Sequence, residues 1–143
     1  MIKFIFFLSL TVTPLFAQDI LPLRDRANLI DQIQKERIKK LLPKLMEEQD
    51  IDVWVMITRE YNEDPIVKTL LPPTWLNARR RTILVFSKTK IGIDPVAITR
   101  YNFGENIRSI WNKEAQPSQW KALSNYIVSL NPQKIGINIS KHY

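Results

Sequence analysis

The sequence predicts an α/β fold organised on a mixed sheet, and three observations lead there. Short apolar runs, partly β-branched, recur at Asp52–Thr58, Thr82–Ser87, Pro95–Tyr101 and Lys134–Ile139. Two longer segments, one before the first run and one before the last, space their apolar residues mostly three or four apart, which is the helical period. Helices and strands therefore alternate, a pattern that layers helices on a sheet.

In chain order, residues 1–17 are set aside first. Met1-Ile2-Lys3 carries one positive charge, Phe4–Phe16 is mostly apolar with Pro14 near its end, and Ala17 offers a small residue before Gln18. That order is expected of an export signal cleaved near Ala17. The run is too short for a comfortable bilayer span, so no stable membrane anchor is expected. Residues 18–143 then form one domain, periplasmic or extracellular.

Asp25 is placed to cap a helix whose apolar positions are Leu29, Ile30, Ile33, Ile38, Leu41, Leu42, Leu45 and Met46. Pro43 predicts a kink, or a break at which it opens a second short helix, because it lacks an amide hydrogen and crowds the preceding turn. Asp52–Thr58 is apolar on both faces, as a buried central strand is. The polar stretch "REYNEDP" (Arg59–Pro65) and a short helical segment over Ile66–Leu71 follow, and Pro72-Pro73 stops that segment. Thr82–Ser87 and Pro95–Tyr101 are the next strands, joined by a turn at Ile91–Pro95, while Asn106–Lys113 reads as a connector of undecided form. Ser118 is an expected N-cap for a helix through Leu130, Pro132 ends it, and Lys134–Ile139 is the last strand.

Composition narrows the chemistry. There is no cysteine, so thiolate catalysis, disulfides and cysteine metal sites are excluded. The one histidine, His142, sits beside the C-terminus. No G-x-S-x-G, P-loop or G-x-G-x-x-G motif occurs. Glu60, Glu63 and Asp64 cluster after the first strand, but without the spacing of a metal loop. No catalytic residue, metal ligand or cofactor is therefore assigned to this chain. The net charge of +7 would suit a nucleic-acid binder, but export argues against that partner.

The arginine cluster Arg79-Arg80-Arg81 is the remaining candidate site. If the strand already begins at the arginines, Arg79 and Arg81 point one way and Arg80 the other. The cluster either forms a solvated strand end paired to Glu60, Glu63 or Asp64, or it clamps a carboxylate and stacks on Trp75.

"DVWVMITREYNEDP" (Asp52–Pro65), "ARRRTILVF" (Ala78–Phe86), Arg100-Tyr101 and "KIGINIS" (Lys134–Ser140) together resemble the N-terminal domain of the creatinase, prolidase and aminopeptidase P family. The likeness is nearest to exported bacterial Xaa-Pro aminopeptidase-like members. It implies a three-layer α/β/α sandwich with a mixed sheet and ribonuclease H-like topology over residues 18–143. It also implies a separate pita-bread catalytic domain with two divalent metals, held by two Asp, one His and two Glu; the sequence is expected to stop before that domain and to be inactive alone. In such enzymes the N-terminal domain builds oligomer contacts and shapes substrate access, and in some an arginine holds a substrate carboxylate. The candidates for substrate or interface contact are Arg79, Arg80, Arg81, Trp75, Arg59, Glu60 and Tyr61. The implied partners are a second copy or a separately encoded catalytic domain, with proline-containing peptides bound only by the intact enzyme. The other reading is a stand-alone exported module that binds peptides or acidic ligands through Arg79–Arg81 and Trp75.

Overall fold

The computed structural model describes residues 20–139. The expected export signal and His142 lie outside the described residues. Among those residues, no helix is long and apolar enough to cross a membrane.

Five strands make one mixed sheet: β1 (Val53–Arg59), β2 (Arg81–Thr89), β3 (Gly92–Ala97), β4 (Arg108–Ser109) and β5 (Ile135–Ile137). They lie in the order β4-β3-β2-β1-β5. The β1–β2 and β2–β3 pairs are antiparallel, and the β1–β5 and β3–β4 pairs are parallel. The helical segments are α1 (Leu23–Glu36), a π turn (Arg37–Leu41), α2 (Leu42–Glu48), α3 (Pro65–Lys68) and α4 (Gln119–Leu130).

Alternation along β1 and β2 divides the apolar side chains between two faces. Met56, Leu84 and Phe86 pack with Ile38, Leu42 and Met46 of the first helical stretch and with Val67 of α3. Val53, Val55, Ile83 and Val85 pack with Leu123, Tyr126, Ile127 and Leu130 of α4. Because both faces of the central strands are covered, six consecutive residues of β2, Thr82–Ser87, are buried.

Several elements depart from the sequence expectation for identifiable reasons. The first helix begins at Leu23 after Pro22, and Asp25 lies in its first turn rather than at the cap. A carboxylate there still complements the helix dipole. The second short helix expected at Pro43 is present as α2. The turn before it widens to a π turn, and Pro43 falls in the first turn of α2, where its missing amide hydrogen costs least. Leu29, Ile30, Ile33 and Leu41 stay partly exposed, and the polar Gln34 is buried instead. Its amide donates to the Leu70 carbonyl and accepts from Asn106 Nδ2 at 2.8 Å.

The third strand runs Gly92–Ala97, ahead of its expected span, and the hairpin turn is Lys90-Ile91. Gly92 has φ 139, outside the range open to side-chain-bearing residues. Pro95 fits within the strand by parity. Ile98 N donates to Ile83 O of β2 at 2.8 Å, so amides an odd number of residues away, including position 95, face away from β2. β4 covers only Val96 and Ala97 on that outer side. The undecided connector holds β4. The helix α4 starts and stops as expected: Ser118 Oγ accepts from Lys121 N at 3.3 Å, and left-handed Asn131 precedes Pro132.

Side chains fix the sheet's outer strands. Asp52 Oδ2 accepts from Gln133 N at 2.8 Å and from Lys134 N at 3.0 Å, which seats β5 against β1. Arg108 grips Asp94 with two hydrogen bonds of 2.6 and 3.1 Å, joining β4 to β3. That fork, reinforced by the Tyr126 hydroxyl, holds the Asp94 carboxyl below its ordinary value of 3.8 against the opposing effect of partial burial. A depressed folded-state value means the contribution is fully present above about pH 3.8 and is lost as pH falls through the lower folded value. We predict that Asp94→Asn lowers the urea midpoint at pH 7, and that its deficit relative to the parent shrinks in titrations taken below pH 3.8.

Candidate functional site

The end of β1 and the start of β2 lie side by side, with Arg59 opposite Arg81. Beyond them the two polar segments are joined through the backbone. Glu60 N donates to Arg80 O at 2.7 Å, and Arg80 N donates to Glu60 Oε2 at 3.3 Å. Arg59 and Asn62 exchange backbone hydrogen bonds of 3.4 and 3.0 Å, which closes a tight turn over Tyr61. Tyr61 and Arg80 both adopt left-handed backbone, with φ 66 and φ 50.

The left-handed Arg80 redirects its neighbours. The strand begins only at Arg81, so strand alternation does not apply to the cluster, and Arg79 and Arg81 do not share one environment. The Arg79 guanidinium lies 4.6 Å from the Trp75 ring centre and 5.6 Å from that of Tyr101. The Arg81 guanidinium lies 4.8 Å from the Trp120 ring centre on α4. Trp75 is itself braced edge-on by Tyr101 and Phe103, at 5.5 and 5.0 Å between ring centres. Gln119, the first residue of α4, ties the helix to the sheet end by donating to the carbonyls of Arg81 and Ile98 at 3.2 and 2.5 Å.

An open cleft of about 740 Å³ results. Glu60, Arg79, Arg80 and Arg81 line it together with Arg100 and Gln119, and Asn77, Thr99, Tyr101 and Trp111 complete the wall. Trp75 stands behind Arg79 rather than on the wall. Arg59 and Tyr61 are exposed and lie outside the cleft lining.

The expected ion pairs between the cluster and the acidic loop do not form. Among the described residues, no carboxylate oxygen lies within 4.0 Å of the guanidinium of Arg79, Arg80, Arg81 or Arg100. The three acidic side chains are engaged elsewhere. Glu60 accepts from a backbone amide, and Glu63 pairs with Lys68 at 4.0 Å. Asp64 caps α3 by accepting from Ile66 N at 2.7 Å and also accepts from Asn138 Nδ2. Among the described residues, no three His, Cys, Asp or Glu side chains gather so as to hold a metal ion.

Arg100, Gln119 and Trp120 were not among the site candidates. A signal for Arg100 does exist in the sequence. In an antiparallel pair, residues just after one strand lie beside the start of its neighbour, so Arg100 after β3 falls next to Arg79 and Arg80 before β2 and Arg81 at its start. Gln119 and Trp120 depend on where α4 crosses the sheet, which periodicity does not reveal.

Left-handed backbone costs a side-chain-bearing residue about 1 kcal/mol, and both hydrogen bonds of Arg80 are made by its backbone. Arg80→Gly is therefore expected to raise stability by about 1 kcal/mol in chemical denaturation. A loss of stability would mean that the arginine side chain supports the loop. Compared with known protein families, curated proteins and solved structures, the chain matches none.

Proposed function

We propose that this chain is the non-catalytic N-terminal domain of an exported Xaa-Pro aminopeptidase-like metallopeptidase of the creatinase, prolidase and aminopeptidase P family. The observation that carries the reading is the union of its two most distinctive segments. "REYNEDP" and "ARRR" are separated by twelve residues and meet through the hydrogen bonds of Glu60 with Arg80 at the end of the central strand pair. The expected three-layer arrangement with ribonuclease H-like topology is supported by two features. Three consecutive antiparallel strands are followed by a later strand added parallel to the first, and helices pack on both sheet faces.

On this reading the domain contributes oligomer contacts and shapes access to a catalytic site carried by another domain. Its partner is a second copy or a separately encoded catalytic domain, and proline-containing peptides are substrates only of the intact enzyme. The two divalent metals belong to that other domain. The donor set among the described residues does not fit them. The purified 18–143 chain, given Mn²⁺ or Co²⁺ and an Xaa-Pro peptide, is expected to release no N-terminal residue. Metal-dependent release would overturn the assignment.

The outer side of β5 supports the proposed association. It is a sheet edge, and Ile135, Ile137 and Ile139 are 48%, 60% and 83% exposed. Light scattering over a concentration series is expected to show a rising mean mass, and Ile137→Lys is expected to suppress the rise. A constant monomer mass would remove this edge as a contact.

A second reading, a stand-alone exported module for peptides or acidic ligands, is favoured by one specific observation. The four cleft arginines have no carboxylate partner among the described residues.

A further inference from the structure

We propose that the arginine cleft is a binding site for a doubly charged oxyanion, the chemistry shared by inorganic phosphate and phosphate monoesters. The proposal deepens the second reading of the cleft as an acidic-ligand site and rests on it.

Charge provides the first argument. Four guanidiniums and one carboxylate line the cleft, so three positive charges are in excess within one concavity. Arg59 adds a like charge directly across from Arg81, an arrangement that opposes strand pairing. A singly charged carboxylate would leave most of this excess uncompensated, whereas a dianion offsets two charges at once.

Geometry provides the second. Among the described residues, no guanidinium of the four donates a hydrogen bond to the protein, whereas those of Arg37 and Arg108 do. Arg79 and Arg81 instead sit over aromatic rings, Arg79 by Trp75 and Tyr101 and Arg81 by Trp120. A ring contact takes up none of the N–H donors, and the planar fork of a guanidinium matches the spacing of phosphate oxygens. Rings that fix the guanidiniums before the ligand arrives reduce the ordering cost of binding. The charges converge on a cleft rather than spreading as a stripe, which suits a discrete group more than a polyanionic chain.

Trp111 and Tyr101 border the same cleft and offer apolar surface for whatever the oxyanion is attached to. The two sources of the group therefore differ in a measurable way: an ester can use this surface and the free ion cannot.

The test is calorimetric titration of the 18–143 chain at pH 8 and fixed low ionic strength, with acetate, a C-terminal carboxylate peptide, inorganic phosphate and phenyl phosphate as probes. At that pH the phosphates carry about two charges. Phosphate is expected to bind at least about tenfold more tightly than acetate. Arg100→Gln and Arg80→Asn, the latter chosen because asparagine tolerates left-handed backbone, are each expected to weaken phosphate binding about tenfold. Lys90→Gln, in the hairpin turn, is expected to leave it unchanged. Tighter binding of phenyl phosphate than of phosphate supports a ligand-borne group, and equal binding supports the free ion. If acetate or the peptide binds as tightly as phosphate, the dianion proposal is overturned while the acidic-ligand reading stands. If no probe binds, both fall. Equal weakening by all three variants, Lys90→Gln included, would reduce the effect to general charge and overturn the site.

Discussion

The antiparallel pairing of β1 with β2 is the constraint on which the rest depends. Its register runs from Val53 opposite Ser87 to Arg59 opposite Arg81. A slip of one residue would exchange Met56 and Leu84 with their neighbours and turn both apolar sets toward the wrong helices. The same register aligns the ends of the two strands, so the backbone bonds between Glu60 and Arg80 follow from it. Core and cleft are therefore specified by one ladder.

That linkage carries an energetic tension. The apolar ladder stabilises the sheet, while its last rung brings two arginines face to face and the next residue adopts a left-handed backbone. Each such feature is unfavourable by a fraction of a kcal/mol to a few kcal/mol. The burial of Ile83, Leu84, Val85 and Phe86 offsets it, at about 1.5–3 kcal/mol per large apolar side chain. The aromatic rings around Arg79 and Arg81 lessen the repulsion without neutralising it, because they supply an attractive quadrupole rather than a charge.

Much of the fold was legible because it rests on periodicity. The two central strands, the helix over Gln119–Leu130 with its Ser118 cap, and the mixed character of the sheet all follow from spacing and punctuation. What was not legible depends on tertiary compensation. The π turn ahead of Pro43 leaves no signature in the apolar spacing, and Pro95 marks a strand start only if its amide position needs a partner. The site divides in the same way. Arg79, Arg80, Arg81 and Glu60 announce themselves as a cluster and its loop, and they do meet. Arg59, the last residue of β1, and Tyr61, in the turn just beyond Glu60, lie outside the cleft lining. The ion pairs that charge alone would anticipate are absent since Asp64 is committed to capping α3 and to Asn138.

The seat of β5 has a consequence for how the chain assembles. β1, β2 and β3 form a meander with short-range closures, whereas β5 joins β1 across a separation of about eighty residues, through contacts such as Asp52 with Lys134. Loop closure over that distance is entropically unfavourable and is compensated by only three paired residues and a few side-chain bonds. The meander and its helices can thus close before β5 arrives. The outer flank of β1 stays open to strand addition during that interval, and any segment with the right alternation can compete for it. The order of folding events, and not only the finished sheet, therefore sets the chance that copies of this chain exchange their final strand.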